Sequence, residues 1–315
     1  MASRAEIENK PFLQLLLVVG LCLASVIIFS IIGIVCTIVF YGIDMHSFYN
    51  YDDPNTIEGL KFFQLLSAVG LFLVPPLVYA LIVSNKPLNH LSLKRLSNPK
   101  NYILLALLMF VFTPFMSWLI EINANMMLPD FLSELELWMK ESEENAAALT
   151  KAFLTFDGLG SLIYVLLIVA VVPAIGEELL FRGVLQKIFI QWTKNMHWGI
   201  WITAVLFSAL HMQFYGFFPR MLLGVIFGYL LVWSKSLWLP ILGHFINNGS
   251  VVVLSYIYPE IMKDAEVVVF DGDDYKYFYY VLSLLLSAGV FYMIKKVNTE
   301  QINVQHASEI NQDRG

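Results

Sequence analysis

The chain has 315 residues, 58% of them hydrophobic and only 14% charged, with a formal net charge of -6. A soluble globular domain carries about a quarter charged residues, so the composition excludes an ordinary soluble protein and points to a polytopic, all-α membrane bundle. Nothing in it asks for a nucleic-acid partner, and the net charge has meaning only once it is divided between the two sides of a bilayer.

The length would allow about two soluble domains, but apolar runs recur from end to end, which predicts one integral membrane domain. Its parts are read as N-terminal spans with an outer amphipathic segment (1–159), a polar-bearing core (160–257), and an acidic loop, last span and cytoplasmic tail (258–315). Cys22 and Cys36 both fall in the first apolar run. There they act as small hydrophobes, with no disulfide framework and no metal-type spacing.

In chain order, the apolar run at 11–40 is too long for a signal-peptide core and is read as a retained first span. Further spans are predicted at 62–83, 102–122, 160–192, 197–217, 219–234, 236–257 and 277–294, each near or above the roughly 20 residues needed to cross. That makes about eight. Loop charge tests the count, because Lys and Arg collect on the cytoplasmic side. With the N-terminus inside, the 19 basic residues divide 13 inside to 6 outside, and the 25 acidic ones 7 inside to 18 outside. Both termini of this multi-pass membrane protein are therefore expected in the cytoplasm.

The segment 129–157 is polar yet helix-rich. Ser133 and Glu136 have capping-box spacing, and Leu132, Leu135 and Met139 would share one apolar stripe. A helix on the outer membrane surface is expected, serving as a connector or as a lid over a substrate entrance. The acidic loop at 264–274 contains DGDD but lacks the spacing and closing Glu of an EF-hand, so a solvated loop is expected. Residues 298–315 read as a loose polar tail.

Three later spans carry groups that a membrane anchor does not need. The stretch at 174–192, AIGEELLFRGVLQKIFIQW, holds Glu177, Glu178 and Arg182; the next span holds His211; 236–257 holds His244, Asn247 and Asn248. Ionisable side chains in hydrocarbon cost at least about 2.5 kcal/mol, so they face partners or a watery cavity. Glu178 and Arg182 are four apart and can pair on one helix face, whereas Glu177 is turned by about 100° and stays available. His244 and Asn248 also share a face. Pro173 and Pro240 can each loosen a helical turn beside these groups.

Depth supports part of this convergence. Glu177 lies about 22 Å from Trp192 along the helix and His211 about 21 Å from His197, while His244 lies only about 12 Å from Ser236. The first two can meet; the third requires a tilted helix or an earlier start. A buried glutamate of raised pKa can take a proton from water. A neutral histidine can orient that water, and an amide with a second histidine can face a developing oxyanion. Together they describe amide hydrolysis in or near the membrane.

Residues 177–182 (EELLFR) fit EExxxR, 207–211 (FSALH) fit FxxxH, and 244–248 (HFINN) fit HxxxN. In that order they resemble the CPBP family of intramembrane proteases, which includes the CAAX prenyl protease type 2 and bacterial Abi or bacteriocin-immunity proteins. The resemblance covers roughly 160–257 and extends to the eight-span count. It implies a catalytic Glu177 acting with His211 on water, His244 and Asn248 on the oxyanion side, and Glu178 with Arg182 in support. Its implied substrate is a peptide or lipidated, CAAX-type protein, and a metal-free glutamate mechanism is favoured, with no cofactor. Zinc held by Glu177, His211 and His244 is the alternative. HExxH is absent, as is a rhomboid-like serine-histidine pair. Two rival readings stand beside the protease: a catalytically silent scaffold of the same family, and a transporter, for which no inverted repeat is visible. Beyond the bilayer itself, the partners and the oligomeric state are open.

Overall fold

The computed structural model describes residues 7–43, 51, 53–94, 96–259 and 275–312, with 301–312 as backbone alone. Among these residues every regular element is helical. The acidic loop at 264–274 lies outside the described residues.

The bundle consists of α1 (Pro11–Tyr41), α2 (Pro54–Val83), α3 (Pro99–Ala124), α4 (Ser133–Phe153), α5 (Leu159–Thr193), α6 (Met196–Ala209), α7 (Phe217–Ser234), α8 (Trp238–Ile257) and α9 (Lys276–Gln312). Six of the described helices are long and apolar enough to cross a membrane: α1, α2, α3, α5, α7 with the turn before it, and α9 over Lys276–Glu300. The 20-residue α8 stands outside this group, interrupted by His244, Asn247 and Asn248, and α6 has only 14 residues. With those two, the bundle matches the expected count of about eight.

Local sequence sets the starts. Asp53 caps α2 by accepting the Asn55 and Thr56 N–H groups, with Pro54 in the first turn. Asn98 accepts from Lys100 N–H before Pro99, and Asn195 accepts from His197 and Trp198 N–H. Each satisfies donors that a helix start leaves unpaired, and proline suits the first position because it has no N–H to orphan.

The long helices are not regular. α2 carries a π turn at Val69–Leu73, and α5 carries two, at Leu166–Val171 and Leu179–Leu185. Freed backbone groups are tolerated at membrane depth where a neighbour re-satisfies them. Ser25 of α1 donates to Gly70 O at 2.5 Å. At Pro114 in α3, the Ser283 hydroxyl of α9 inserts into the ladder, accepting from Phe115 N–H at 3.1 Å and donating to Val111 O at 2.5 Å. α9 also locks to α3 through a reciprocal Asn101–Asn298 amide pair.

Four expectations are corrected. The span predicted at 197–217 ends at Ala209, because the chain reverses at Met212 (φ 55°) and makes a 3-10 turn at Phe214–Gly216. The Ser133–Glu136 capping box does not form. A 3-10 turn at Asp130–Leu132 runs into α4 and leaves Ser133 already helical, while Glu136 accepts from Leu128 N–H and pairs with Lys140 at 2.6 Å. The region read as a loose tail continues α9 as far as Gln312. The depth conflict at His244 is resolved by the 84–98 connector, which forms a shelf inside the end of α5. Leu237 N–H donates to Ser92 O, Trp238 Nε1 donates to Leu93 O, and Lys187 Nζ donates to Ser92 Oγ and His90 O. The start of α8 is thus level with Lys187 rather than Trp192, which brings His244 to the height of Glu178.

Candidate active site

Three helices deliver the polar groups to one place. Glu177 and Glu178 close the α-helical turn Val172–Glu178 of α5, and Arg182 lies in the π turn that follows. His211 sits just past α6 in the turn leading to α7, and His244 is near the start of α8.

Arg182 and Glu178 form the expected pair, Nη1 to Oε1 at 2.8 Å, with both side chains fully buried. The second guanidinium nitrogen donates to Gly224 O at 3.1 Å, and the charge lies 4.5 Å from the Phe207 ring centroid and 5.7 Å from that of Phe227. Gly224 permits this approach, since a Cβ there would meet Ala204 at 3.0 Å and Arg182 at 3.3 Å. A buried ion pair survives removal from water only with this kind of additional hydrogen bonding.

Glu178 Oε1 also faces His244 Nδ1 at 2.9 Å. An ionised carboxylate only accepts, so Nδ1 carries the proton. His211 is set the same way: its Nδ1 lies 2.8 Å from Phe207 O, and a carbonyl also only accepts. Each ring therefore turns Nε2 inward. The His211 and His244 Nε2 atoms lie 3.9 Å and 3.8 Å from Glu177 Oε2. Glu177 is buried, and its Oε2 has no protein hydrogen-bond partner. Glu178 is thus committed to Arg182 and His244, while Glu177 faces two ring nitrogens beyond direct hydrogen-bonding range.

Phe207 packs behind the centre, edge-on to His211 with centroids 5.0 Å apart and to His244 at 6.0 Å. Asn248 stands differently from the other candidates. Its amide donates to Val169 O at 3.0 Å, and its carbonyl accepts from Asn247 at 3.1 Å. Val169 is four residues before Pro173, whose ring has no N–H to offer that carbonyl. The side chain assigned by resemblance to the oxyanion side here repairs a proline defect and staples α8 to α5.

The zinc alternative has a geometric test. Tetrahedral zinc holds its donors about 2.1 Å away, hence about 3.4 Å from one another. Glu177 Oε2 stands wider than that from both Nε2 atoms, and among the described residues no three His, Cys, Asp or Glu side chains group closely enough to hold a metal ion. The residues as placed do not fit the ion.

Sequence reasoning overlooked what α7 contributes. Arg182 and Gln186 of α5 donate to the carbonyls of Gly224 and Gly228. The Gly224/Gly228 spacing is a small-xxx-small pattern that marks close helix approach, so a signal was present.

Comparison with known proteins meets the resemblance on these residues. Residues 159–250 match the family model described as Rce1-like, type II CAAX prenyl endopeptidase Rce1-like. The chain is also similar to the uncharacterized protein YpbD of Bacillus subtilis (strain 168), at 31% identity over 80 residues, covering 24% of this chain and 38% of that protein. The chain thus spans well under half the length of that relative. No solved structure matches. The match at 159–250 takes in Glu177, His211 and His244 and lies in a multi-pass membrane chain, six of whose described helices are long and apolar enough to cross a bilayer.

Proposed function

We propose that the protein is an intramembrane endopeptidase that hydrolyses a peptide bond of a membrane-associated or prenylated, CAAX-type substrate with water activated by Glu177 and His211. The observation that carries this reading is the convergence of Glu177 Oε2 with the inward Nε2 atoms of His211 and His244. A water molecule between Glu177 Oε2 and His211 Nε2 gives one proton to Glu177 and directs the other toward His211 Nε2, and its oxygen attacks the substrate carbonyl carbon. The proton on Glu177 then passes to the leaving nitrogen as the C–N bond breaks, and the carboxylate is restored. His244 in its protonated form presents Nε2–H to the oxyanion, with Nδ1–H on Glu178. Preorganised donors of this type contribute about 3–4 kcal/mol. Glu178 and Arg182 hold His244, and Asn248 holds the register of α8 against α5. No metal step is needed.

The reading places the protein in a bacterial plasma membrane with both termini cytoplasmic and the centre reached from that side or laterally from the bilayer. Cysteines introduced at Ser92 or Ile310 should be protected from impermeant label in intact cells. Labelling of either would reverse the orientation.

The decisive assay is proteolysis in liposomes with a peptide library that includes farnesylated CAAX peptides, comparing wild type, Glu177→Ala, and wild type with a strong zinc chelator. Cleavage lost in the variant and retained with chelator supports the glutamate reading; loss in both supports a metal. A second reading rests on the Glu178–Arg182–His244 cluster, which would hold helices together equally well in a silent scaffold. That reading predicts no cleavage and a phenotype indifferent to Glu177→Ala.

A further inference from the structure

His211 is unusual among the converging groups because no regular helix fixes it. α6 ends at Ala209, the following amides turn back through His211 N–H to Ser208 O and Met212 N–H to Ala209 O, and Met212 adopts a left-handed conformation. Such a conformation costs a non-glycine residue on the order of 1–2 kcal/mol, so it persists only where the surroundings impose it. The placement of His211 must come from whatever ties residues 210–216.

Several ties are present, and the strongest charge among them is Arg220, one turn into α7. Its guanidinium donates to Gln213 twice, to the backbone O at 3.3 Å and to Oε1 at 2.7 Å. It folds back over Gly216, where a Cβ would come within 3.1 Å of Nη2. The carboxylates of Glu143 on α4 and Glu177 on α5 attract it from beyond ion-pair contact. Glu143 also accepts from Tyr215 N–H at 3.4 Å, and Trp138 of α4 lies against Phe214 with centroids 5.2 Å apart. Asn123 at the end of α3 secures the far side, donating to Phe214 O and accepting from Phe218 N–H.

We infer that Arg220 is a positioning residue for the candidate centre: its forked grip on Gln213 holds the His211 turn against Glu177, on the side of the turn where α4 packs. This rests on the peptidase reading only where turnover is concerned; the placement of His211 is a separate matter. Lysine cannot replace the fork, because an ammonium supplies the charge without the planar pair of donors.

The test uses the full chain in lipid nanodiscs as wild type, Arg220→Gln and Arg220→Lys. Carbethoxylation rates at His211 and His244 are followed by mass spectrometry, with kcat and KM on any cleaved peptide. Arg220→Gln should speed modification of His211 by about fivefold or more while His244 stays unreactive. Arg220→Lys should fall between the two. In turnover, kcat should fall with KM little changed. An unchanged His211 rate in Arg220→Gln overturns the inference, as does full restoration of wild-type behaviour by lysine. If no variant, wild type included, cleaves any peptide, the peptidase reading fails and the His211 rates still decide the positioning role. Should Arg220→Gln not fold, Gly216→Ala displaces the guanidinium by its added methyl and must raise the His211 rate; no change there also overturns the inference.

Discussion

α1 and α5 are both long apolar helices of one bundle, yet they are built for different surroundings. Only 11% of the most apolar window of α1 is buried, and Ile27, Ile31 and Phe40 are 59%, 58% and 74% exposed, toward what would be lipid. The corresponding window of α5 is 39% buried, and around Glu177–Ile188 almost every side chain is enclosed. α1 runs as one uninterrupted α-helix from Pro11 to Tyr41. α5 is twice loosened into π turns and receives side chains from α6, α7 and α8. The contrast teaches that polarity inside this bundle goes with irregular backbone: the helix that holds charges is also the one whose ladder is interrupted and repaired from outside.

The contrast is broken most sharply at Glu177. Glu177→Gln should reduce turnover by about 10²–10⁴-fold with little change in melting temperature, since its Oε2 has no protein hydrogen-bond partner. Kinetics and melting of the same preparation check this, and a large loss of stability would mark the residue as structural. Glu178 should behave in the reverse sense. Glu178→Ala leaves Arg182 buried without its partner and should cost about 3–5 kcal/mol, read by denaturation in detergent. A well-folded Glu178→Ala protein would remove the distinction between the two glutamates.

A smaller effect sharpens the link between the proline and its repair. Asn248→Leu should cost about 1 kcal/mol, typical of an interhelical hydrogen bond in a membrane, and lower activity less than Glu177→Gln does. Loss of activity equal to that of Glu177→Gln, with stability unchanged, would return Asn248 to the oxyanion. On α1, Ile27→Ala should stay within about 0.5 kcal/mol of wild type; a larger loss would mean that this face is covered. The smallest effect is at the start of α4. The Lys140 hydrogen bond first, and the Leu128 N–H second, hold the Glu136 carboxyl below its ordinary range. This tie is complete at neutral pH and is lost as acid passes down through the lowered value. Amide exchange at Leu128 should rise only there; a rise nearer pH 7 would be against it.

Much of the centre was legible because its chemistry is expensive in a membrane. Glu177, Glu178, Arg182, His211 and His244 stand out for that reason alone, and the four-residue spacing of Glu178 and Arg182 already states their pairing. The bonds that cross the bundle were not legible. Glu178 meets His244 66 positions away, and Val169 meets Asn248 79 positions away. Local periodicity contains neither distance. The early end of α6 was hidden because residues 210–217 stay largely apolar and Met212 gives no sign of its left-handed conformation. The capping box failed for the opposite reason: the local signal was real, but an unpredicted turn before it moved Ser133 into the helix. Arg220 was only one of the outer basic charges, since its grip on Gln213 exists only once the chain turns back at Met212.

The hydroxyl of Ser283 wedged at Pro114 has a consequence in time. Phe115 is separated from it by 168 positions, and at about 5–20 residues per second α3 is made on the order of 10–30 s before its repair exists. During that interval the Phe115 N–H and the Val111 carbonyl beside Pro114 lack the hydroxyl that bridges them. The last helix is therefore a completion signal for the third, and a nascent chain cut before residue 283 should dwell at the insertion machinery rather than pass into free lipid.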